Sequence, residues 1–171
     1  ASRESEKFVA DLIKDNKLDL SYAIVSEAGA SVYSAGDIAR KEFPDLHVEE
    51  RSAVSIGRRL LDPLAELIKI DPKSIGVGQY QHDLPEKDLN QRLDEAVMTC
   101  VNRTGADLNT ASPELLTHIS GLNSATSQAI IDYRNKNGKF TNREQLLKVK
   151  KMGAKSYEQC AGFLRIVGGQ Q

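Results

Sequence analysis

The first 27 residues contain two patterns of apolar residues, one typical of a helix and one typical of a strand. A helical repeat near the N-terminus is formed by Phe8, Val9, Leu12 and Ile13. The run YAIVSE that follows is rich in β-favouring residues and predicts a buried strand ending at Glu27. Because one strand cannot form a sheet, we expect its partner strands to lie upstream of Ala1. Residues 1–70 are therefore predicted to be part of an α/β domain.

Three further helices are predicted before residue 70. The segments VYSAGDIARKEF and EERSAVSIGRRLL have helical apolar spacing, and Pro44 ends the first of them. Asp62 and Pro63 predict the start of a new helix. An aspartate can cap the unpaired amides at a helix N-terminus, and a proline at the first helical position costs no hydrogen bond. The segment LAELIKI is predicted to form the short helix that follows.

Beyond residue 70 the pattern predicts a loop and then helices only. DPKSIGVGQYQHDLP has the glycines and prolines of an ordered linker, and a long connecting helix follows it. The apolar face of that helix consists of Leu89, Leu93, Ala96, Val97, Cys100 and Val101. Four short helices are predicted from Leu108: NTASPELLTHI, SATSQAIIDYRNKNG, NREQLLKVK and GAKSYEQCAGFLRI. The predicted fold class is mainly α, with a domain at 1–70, a linker loop and connecting helix at 71–101, and a helical domain at 102–167.

Charge is distributed unevenly along the chain. Lysine and arginine number 13 against 19 acidic residues in residues 1–100, but 10 against 5 in residues 101–171. The C-terminal part is therefore basic, although the formal net charge of the whole chain is −1. A basic domain attached to an acidic one is consistent with binding to a polyanion. A charge excess of this size is equally common on surfaces that bind no polyanion, so charge alone does not decide between the two interpretations.

Composition excludes several classes of protein. No apolar run approaches the roughly 20 residues of a membrane span. Cys100 and Cys160 lie far apart without metal-ligand spacing, so we expect two small core residues in a reducing compartment. We therefore predict a cytoplasmic protein without metal or cofactor. Because the chain opens with Ala1 and not with methionine, we also expect it to be a piece of a longer protein.

A tight corner separates two of the predicted helices. In the segment HISGLNSATSQAIIDYR, the residues Ser120–Asn123 turn the chain directly into a new helix. Gly121 and Asn123 belong to the residue types that best tolerate a positive φ, which such a turn requires. Backbone amides at the start of the next helix are ready donors for phosphate oxygens. Contacts of this kind bind the nucleic-acid backbone and not the bases.

A second corner of the same layout follows about thirty residues later. It runs from Val149 to Ser156, and three lysines accompany its amides. Two corners with a basic rim suit a continuous phosphate backbone. The residues predicted to bind nucleic acid are Gly121, Leu122, Asn123, Ser124, Thr126, Lys150, Lys151, Gly153, Ala154, Lys155 and Ser156.

These motifs resemble known families. The stretch from Leu108 to Cys160 is similar to a tandem helix-hairpin-helix domain, whose hairpins have a glycine–hydrophobic–glycine pattern. Asn123 replaces the second glycine of the first hairpin as a substitute left-handed residue. Lys151 replaces the first glycine of the second hairpin, where a side chain implies backbone strain.

Nearly the whole chain resembles the bacterial transcription accessory family Tex. The segments YAIVSEAGASVYSA, AVSIGRRLLDPLAELIKIDPKSIGVGQYQHD and DEAVMTCVNRTGADLNTASPELL carry this resemblance. It implies that residues 1–70 are the C-terminal part of a ribonuclease-H-like YqgF domain, joined by a long helix to the tandem hairpins. It also implies an RNA-binding OB-fold after Gln171.

We predict a non-enzymatic module that binds RNA or DNA backbone, independently of sequence, within a transcription-associated factor. The transcription machinery is a further expected partner, whereas a membrane and a small-molecule substrate are not expected. One alternative is a scaffold that positions the OB-fold through protein contacts. The weakest alternative is a structure-selective nuclease in the intact protein, with Glu27 as one carboxylate of a two-metal site.

Other motifs offer less specific chemistry. The pair His82 and Asp83 lacks a placed nucleophile and is interpreted as part of an ordered polar loop. The sequence IGVGQY lacks the third glycine and the preceding strand of a dinucleotide site. We therefore predict neither catalytic nor metal-binding residues.

Overall fold

Helices account for most of residues 3–169, the part of the chain that the computed structural model describes. The chain divides between Pro63 and Leu64 into two units, each with its own internal contacts. The fold class is mainly α, as the sequence predicts.

The first unit contains four helices: α1 (Arg3–Asp15), α2 (Ala30–Ala35), α3 (Asp37–Glu42) and α4 (Val48–Leu61). The segment predicted as one helix forms both α2 and α3, because Gly36 between them is extended at φ −79° and ψ 167°. α2 packs against α4. Arg59 is buried on α4 and donates from Nη1 to the carbonyls of Ser26 (2.7 Å) and Ala28 (2.9 Å). This guanidinium therefore fixes the loop that leads into α2.

The predicted strand before Glu27 does not form within the described residues. Residues 18–27 have no regular structure, and Leu20 and Ile24 are 64% and 63% exposed. The apolar face of α1 is open as well, with Phe8 68% exposed. The prediction of a buried strand was wrong because an extended segment needs ladder partners, and no described residues supply them. The helix α1 forms as predicted, but no described residues cover its apolar stripe.

The second unit begins with α5 (Pro63–Leu67) at the boundary, a 3-10 helix at Pro72–Ile75 and the long helix α6 (Glu86–Thr104). Val101, near the C-terminal end of α6, is completely buried. Farther towards its N-terminus, the same face of α6 lines an apolar groove of about 690 Å³. Other walls of the groove come from α5, the 3-10 helix and the residues between them, through Leu64, Leu67, Ile68, Ile70 and Pro72.

The two cysteines differ in environment. Cys160 is fully buried, and this burial raises the pKa of its thiol to about 11. Cys100 is exposed and lines the apolar groove, so its prediction as a core residue was wrong. The helical periodicity correctly placed Cys100 on the apolar face of α6, but part of that face remains uncovered.

The predicted helical domain contains α7 (Pro113–Thr117), α8 (Ser124–Asn137) and α9 (Ala154–Cys160). Two 3-10 helices, Arg143–Lys148 and Ala161–Phe163, complete it. The first of these is the segment predicted as an α-helix. The elements enclose one apolar core, whose fully buried side chains include Leu108, Leu115, Leu116, Ile119, Ile130, Phe140, Leu146, Cys160 and Leu164.

A short parallel sheet joins the start and the end of this domain. Strand β1 (Ala106–Asp107) pairs with β2 (Leu164–Arg165), and the amide of Leu108 continues the ladder to the carbonyl of Arg165 at 2.9 Å. The apolar pattern predicts helices throughout this region. Two-residue strands are too short to produce a recognisable alternation of apolar and polar residues.

Two polar side chains hold the connections together. Asn109 receives a hydrogen bond from the amide of Phe140 (2.7 Å) and donates to the carbonyl of the same residue (3.0 Å). Arg134 donates from Nη1 to the carbonyls of Leu108 and Ala111, both at 3.0 Å. Burial lowers the pKa of the Arg134 guanidinium, and the charge of Asp107 opposes this shift.

Candidate functional site

The two predicted corners have the same backbone path. We call residues 119–123 the first corner and residues 149–153 the second corner. In the first, the amide of Leu122 donates to the carbonyl of Ile119 at 3.1 Å, and in the second Met152 donates to Val149 at 3.2 Å. Each corner leads directly into a helix, α8 or α9.

The left-handed residue is the third in each corner. Gly121 has φ +83° and Lys151 has φ +66°. Lys151 therefore adopts the conformation that the glycine pattern demands, although a side chain there is strained by about 1–2 kcal/mol. Asn123 is extended at φ −137°, so its interpretation as a substitute left-handed residue was wrong.

Asn123 instead caps α8 with its own side chain. Its Oδ1 accepts from the amide of Thr126 at 3.0 Å, and the Thr126 hydroxyl accepts from the amide of Asn123 at 2.8 Å. This is a reciprocal capping box. Thr126 is only 4% exposed, and its amide and hydroxyl are both engaged within the cap. A contact of the Thr126 hydroxyl with a phosphate would therefore have to break this cap.

The helix after the second corner begins with a different kind of capping residue. Gly153 occupies the capping position of α9 at φ −92° and ψ 164°, and it has no side chain that can accept from the helix amides. The first amides of a helix have no partner within the helix, so those of Ala154, Lys155 and Ser156 need acceptors from outside. An asparagine cap such as Asn123 satisfies the third of these positions. The second corner and its helix thus combine open donors with the exposed lysines Lys150, Lys151 and Lys155.

Four more of the predicted binding residues differ in their exposure and in what they contact. Leu122 packs against the core and uses its amide inside the turn, so it stabilises the corner and offers no free donor. Ser124 is exposed at the first position of α8, and Ser156 is partly buried in the first turn of α9. Gly121 provides a close contact, since a Cβ there would lie 2.6 Å from Cβ of Gln159 and 3.0 Å from the carbonyl oxygen of Ser156. The first corner therefore lies directly against α9.

Asn102 on α6 is a site residue that sequence reasoning missed. Its Oδ1 accepts from the amide of Ser120 at 2.9 Å, and its Nδ2 donates to the carbonyl of His118 at 2.9 Å. Both bonds fix the entry to the first corner. An asparagine within a helix has no local sequence signal for a long-range contact of this kind, so the pattern around it could not reveal the role.

The remaining candidate residues form no comparable arrangement. Glu27 is exposed, precedes α2 in a turn and does not lie at a strand end, which corrects its predicted position. His82 and Asp83 are exposed turn residues. Within residues 3–169, no three His, Cys, Asp or Glu side chains are grouped so that they could hold a metal ion. In the same range, every helix is too short or too polar to cross a membrane.

The strain at Lys151 yields a test of the corner geometry. We expect Lys151→Gly to raise the free energy of unfolding by about 1 kcal/mol relative to Lys151→Ala, because only glycine relieves the left-handed backbone. Both variants lose the same charge, so the difference isolates the backbone. Urea unfolding of the two variants measures it, and equal stabilities would show that residue 151 is not left-handed in solution.

Family comparisons cover both ends of the chain. A family model described as the helix-hairpin-helix motif matches residues 101–165, and one described as the Tex protein YqgF-like domain matches residues 1–61. The first match contains both corners, and the second contains α1 to α4.

Full-length relatives extend this similarity across the chain. The chain is 59% identical over 170 residues to Protein YhgF of Escherichia coli, covering 99% of the chain and 22% of that protein. It is 56% identical over 172 residues to the Transcriptional accessory protein Tex of Neisseria gonorrhoeae, covering 100% and 23%. It is also 56% identical over 169 residues to the human S1 RNA-binding domain-containing protein 1, covering 97% and 17%. The chain thus spans less than a quarter of the length of each of these three relatives.

Proposed function

The chain belongs to the Tex family, and from this membership and the geometry of the corners we propose that its second unit binds the phosphate backbone of nucleic acid. Binding, and not catalysis, is the proposed role. The helix-hairpin-helix match supports the ligand class, and one relative is named for accessory action in transcription and another for an RNA-binding domain. We accordingly propose that the module acts within a transcription-associated factor, beside the transcription machinery.

The observation that carries this proposal is the second corner. Three exposed lysines accompany a helix start whose capping residue, Gly153, leaves the first amides open. Lysines release condensed counter-ions when they neutralise phosphates, which supplies most of the affinity of nonspecific binding. Backbone amides position the phosphate but carry no information on base sequence.

Independence of base sequence follows from the kinds of groups at the corners. Ammonium groups and amides contact phosphates and not base edges. Aromatic side chains stack on bases in single-strand binding proteins. In the domain that holds the corners, the rings of Tyr133 and Phe140 instead stack on one another, with centroids 5.2 Å apart. We therefore expect similar affinity for probes of different sequence and equal length.

A pair of variants at Gly153 tests the proposal without changing any charge. A Cβ at this position meets nothing within 4 Å, and its extended backbone suits any residue. Gly153→Asn supplies a side-chain acceptor that caps α9 as Asn123 caps α8, so we expect RNA affinity to fall roughly three- to tenfold. Gly153→Ala adds a side chain without an acceptor and should retain the affinity.

Fluorescence anisotropy with labelled single-stranded RNA, single-stranded DNA and duplex DNA measures these effects. Equal affinities of the two variants would contradict a role for the amides of α9. Absence of binding by the unmodified chain to every probe at low salt would overturn the proposed function.

A scaffold is the second candidate function, and the apolar groove beside α6 favours it. Apolar grooves of this kind accept helices or loops of partner proteins. In that case the corners would maintain the fold while the groove mediates assembly. The anisotropy experiment separates the two candidates, since the scaffold predicts no binding to any nucleic-acid probe.

A further inference from the structure

We propose that the apolar groove beside α6 is covered by an amphipathic helix with basic residues, supplied by a part of the same polypeptide outside these 171 residues. The inference concerns a surface other than the two corners. It goes beyond phosphate binding and does not depend on it.

The groove presents apolar side chains from several elements at once. Leu93, Ala96 and Val97 of α6 line it together with Leu67 of α5 and Val77, which follows the 3-10 helix. Leu67 and Val77 are both exposed. Contiguous apolar surfaces on soluble proteins are usually contact sites, because a partner that covers them removes their side chains from water.

The backbone of the groove selects a helical occupant. None of the described residues that line it lies in a strand, and the amide of Ile70 donates locally to the carbonyl of Leu67 at 3.1 Å. An extended occupant would therefore bury amides and carbonyls that find no strand edge, whereas a helix pairs its own. The lining that α6 provides from Asn90 to Cys100 is about 15 Å long, which suits the apolar stripe of a short helix.

The charges at the groove favour basic residues on this helix. Three charged side chains line it: Asp71, Lys73 and Asp94. Lys73 is paired with Glu86 at 3.4 Å, and Asp71 caps the 3-10 helix by accepting from the amide of Lys73 at 3.0 Å. Asp94 is exposed and has neither a hydrogen bond nor an ion pair with any of residues 3–169. A lysine or arginine beside the apolar stripe of the occupant would complement this carboxylate.

The length of the relatives favours a source within the same polypeptide. More than three-quarters of Protein YhgF and of the human S1 RNA-binding domain-containing protein 1 lies outside the region that this chain matches. A segment tethered through the same chain reaches an effective concentration on the order of millimolar, so a modest contact suffices to hold it. A second copy that docked groove to groove would instead bring two Asp94 carboxylates into one interface, where like charges repel.

The thiol of Cys100 reports whether the groove is covered. It is exposed and lines the groove, whereas burial raises the pKa of the Cys160 thiol to about 11, so Cys160 serves as the unreactive reference. We expect iodoacetamide to modify Cys100 roughly tenfold or more slowly in a full-length protein that contains this chain than in the 171-residue chain. Mass spectrometry of the peptide around Cys100 measures both rates. The protection should be equal at high and low protein concentration, because the occupant belongs to the same polypeptide.

Replacement of Asp94 tests the charge of the occupant. In the full-length protein, Asp94→Lys should raise the rate at Cys100 roughly threefold or more by repelling the basic helix, after correction for the same variant of the 171-residue chain. Asp94→Asn, which removes the charge without adding another, should give a smaller increase. Asp132→Lys is the matched control and should leave the rate unchanged, because Asp132 is exposed on α8 and does not line the groove.

Equal rates at Cys100 in the full-length protein and in the shorter chain would overturn the inference. Protection that disappears on dilution would assign the groove to a second copy and would overturn it as well. An unchanged rate in Asp94→Lys would refute a basic occupant. These outcomes leave phosphate binding by the corners untouched, since the anisotropy experiment tests it separately.

Discussion

Reversing the charge of Lys150, Lys151 and Lys155 is expected to reduce the affinity for single-stranded RNA and DNA on the order of a hundredfold or more at low salt. Each lysine is exposed beside the second corner or in the first turn of α9. Replacement by glutamate removes a phosphate partner and adds a repulsive charge at the same place. Anisotropy titration of the triple variant against the unmodified chain measures the loss.

A second triple variant separates the site from the net charge. Arg103, Lys136 and Lys139 lie in the same unit, are exposed and lie outside both corners. Their replacement by glutamate changes the formal charge by the same amount. We expect a loss of less than about tenfold, because these charges do not accompany the open amides of α9 and would act on a bound phosphate only through attraction that salt screens. Equal losses in the two variants would contradict a defined site at the second corner.

Replacement of Gly121 by alanine is expected to lower the free energy of unfolding by about 2–4 kcal/mol. The left-handed backbone contributes about 1–2 kcal/mol of strain, and the new Cβ would overlap Cβ of Gln159, which cannot swing away. The first corner would then have to separate from α9. Thermal and urea unfolding of the variant measure the destabilisation.

Gly138→Ala is the control for the backbone term. Gly138 also has a positive φ, +85°, but a Cβ there meets nothing within 4 Å. Because its ψ of −171° lies in a backbone region that is nearly exclusive to glycine, we expect this variant to lose only the strain of that backbone, about 1–3 kcal/mol. If both variants lose the same stability, the contact between the first corner and α9 makes no contribution to the fold.

Helix starts were the most predictable feature of the chain. Pro63 begins a helix as its position after Asp62 predicts, and α4, α6 and α8 form where the apolar spacing predicts helices. These signals are local, because capping and amphipathic spacing involve residues within a few positions of each other. The positions of the two corners were likewise evident from the spacing of apolar residues and turn formers.

Features that depend on distant partners were not predictable. The segment before Glu27 has the composition of a strand, but composition does not supply a neighbouring strand. The role of Asn102 requires two bonds to residues 16 and 18 positions away. The prediction for Asn123 was wrong for a local reason. Asparagine tolerates a left-handed backbone, but here the backbone is extended and the side chain caps α8.

The dependence of binding on salt tests the central claim most directly. With three lysines at the second corner, a plot of log affinity against log salt for a single-stranded probe should be linear with a slope of about −2, since each phosphate contact contributes about −0.7. The slope should approach zero in the variant with glutamate at residues 150, 151 and 155. A salt-independent affinity, or no binding at the lowest salt concentration, would contradict the proposal that this unit holds a phosphate backbone.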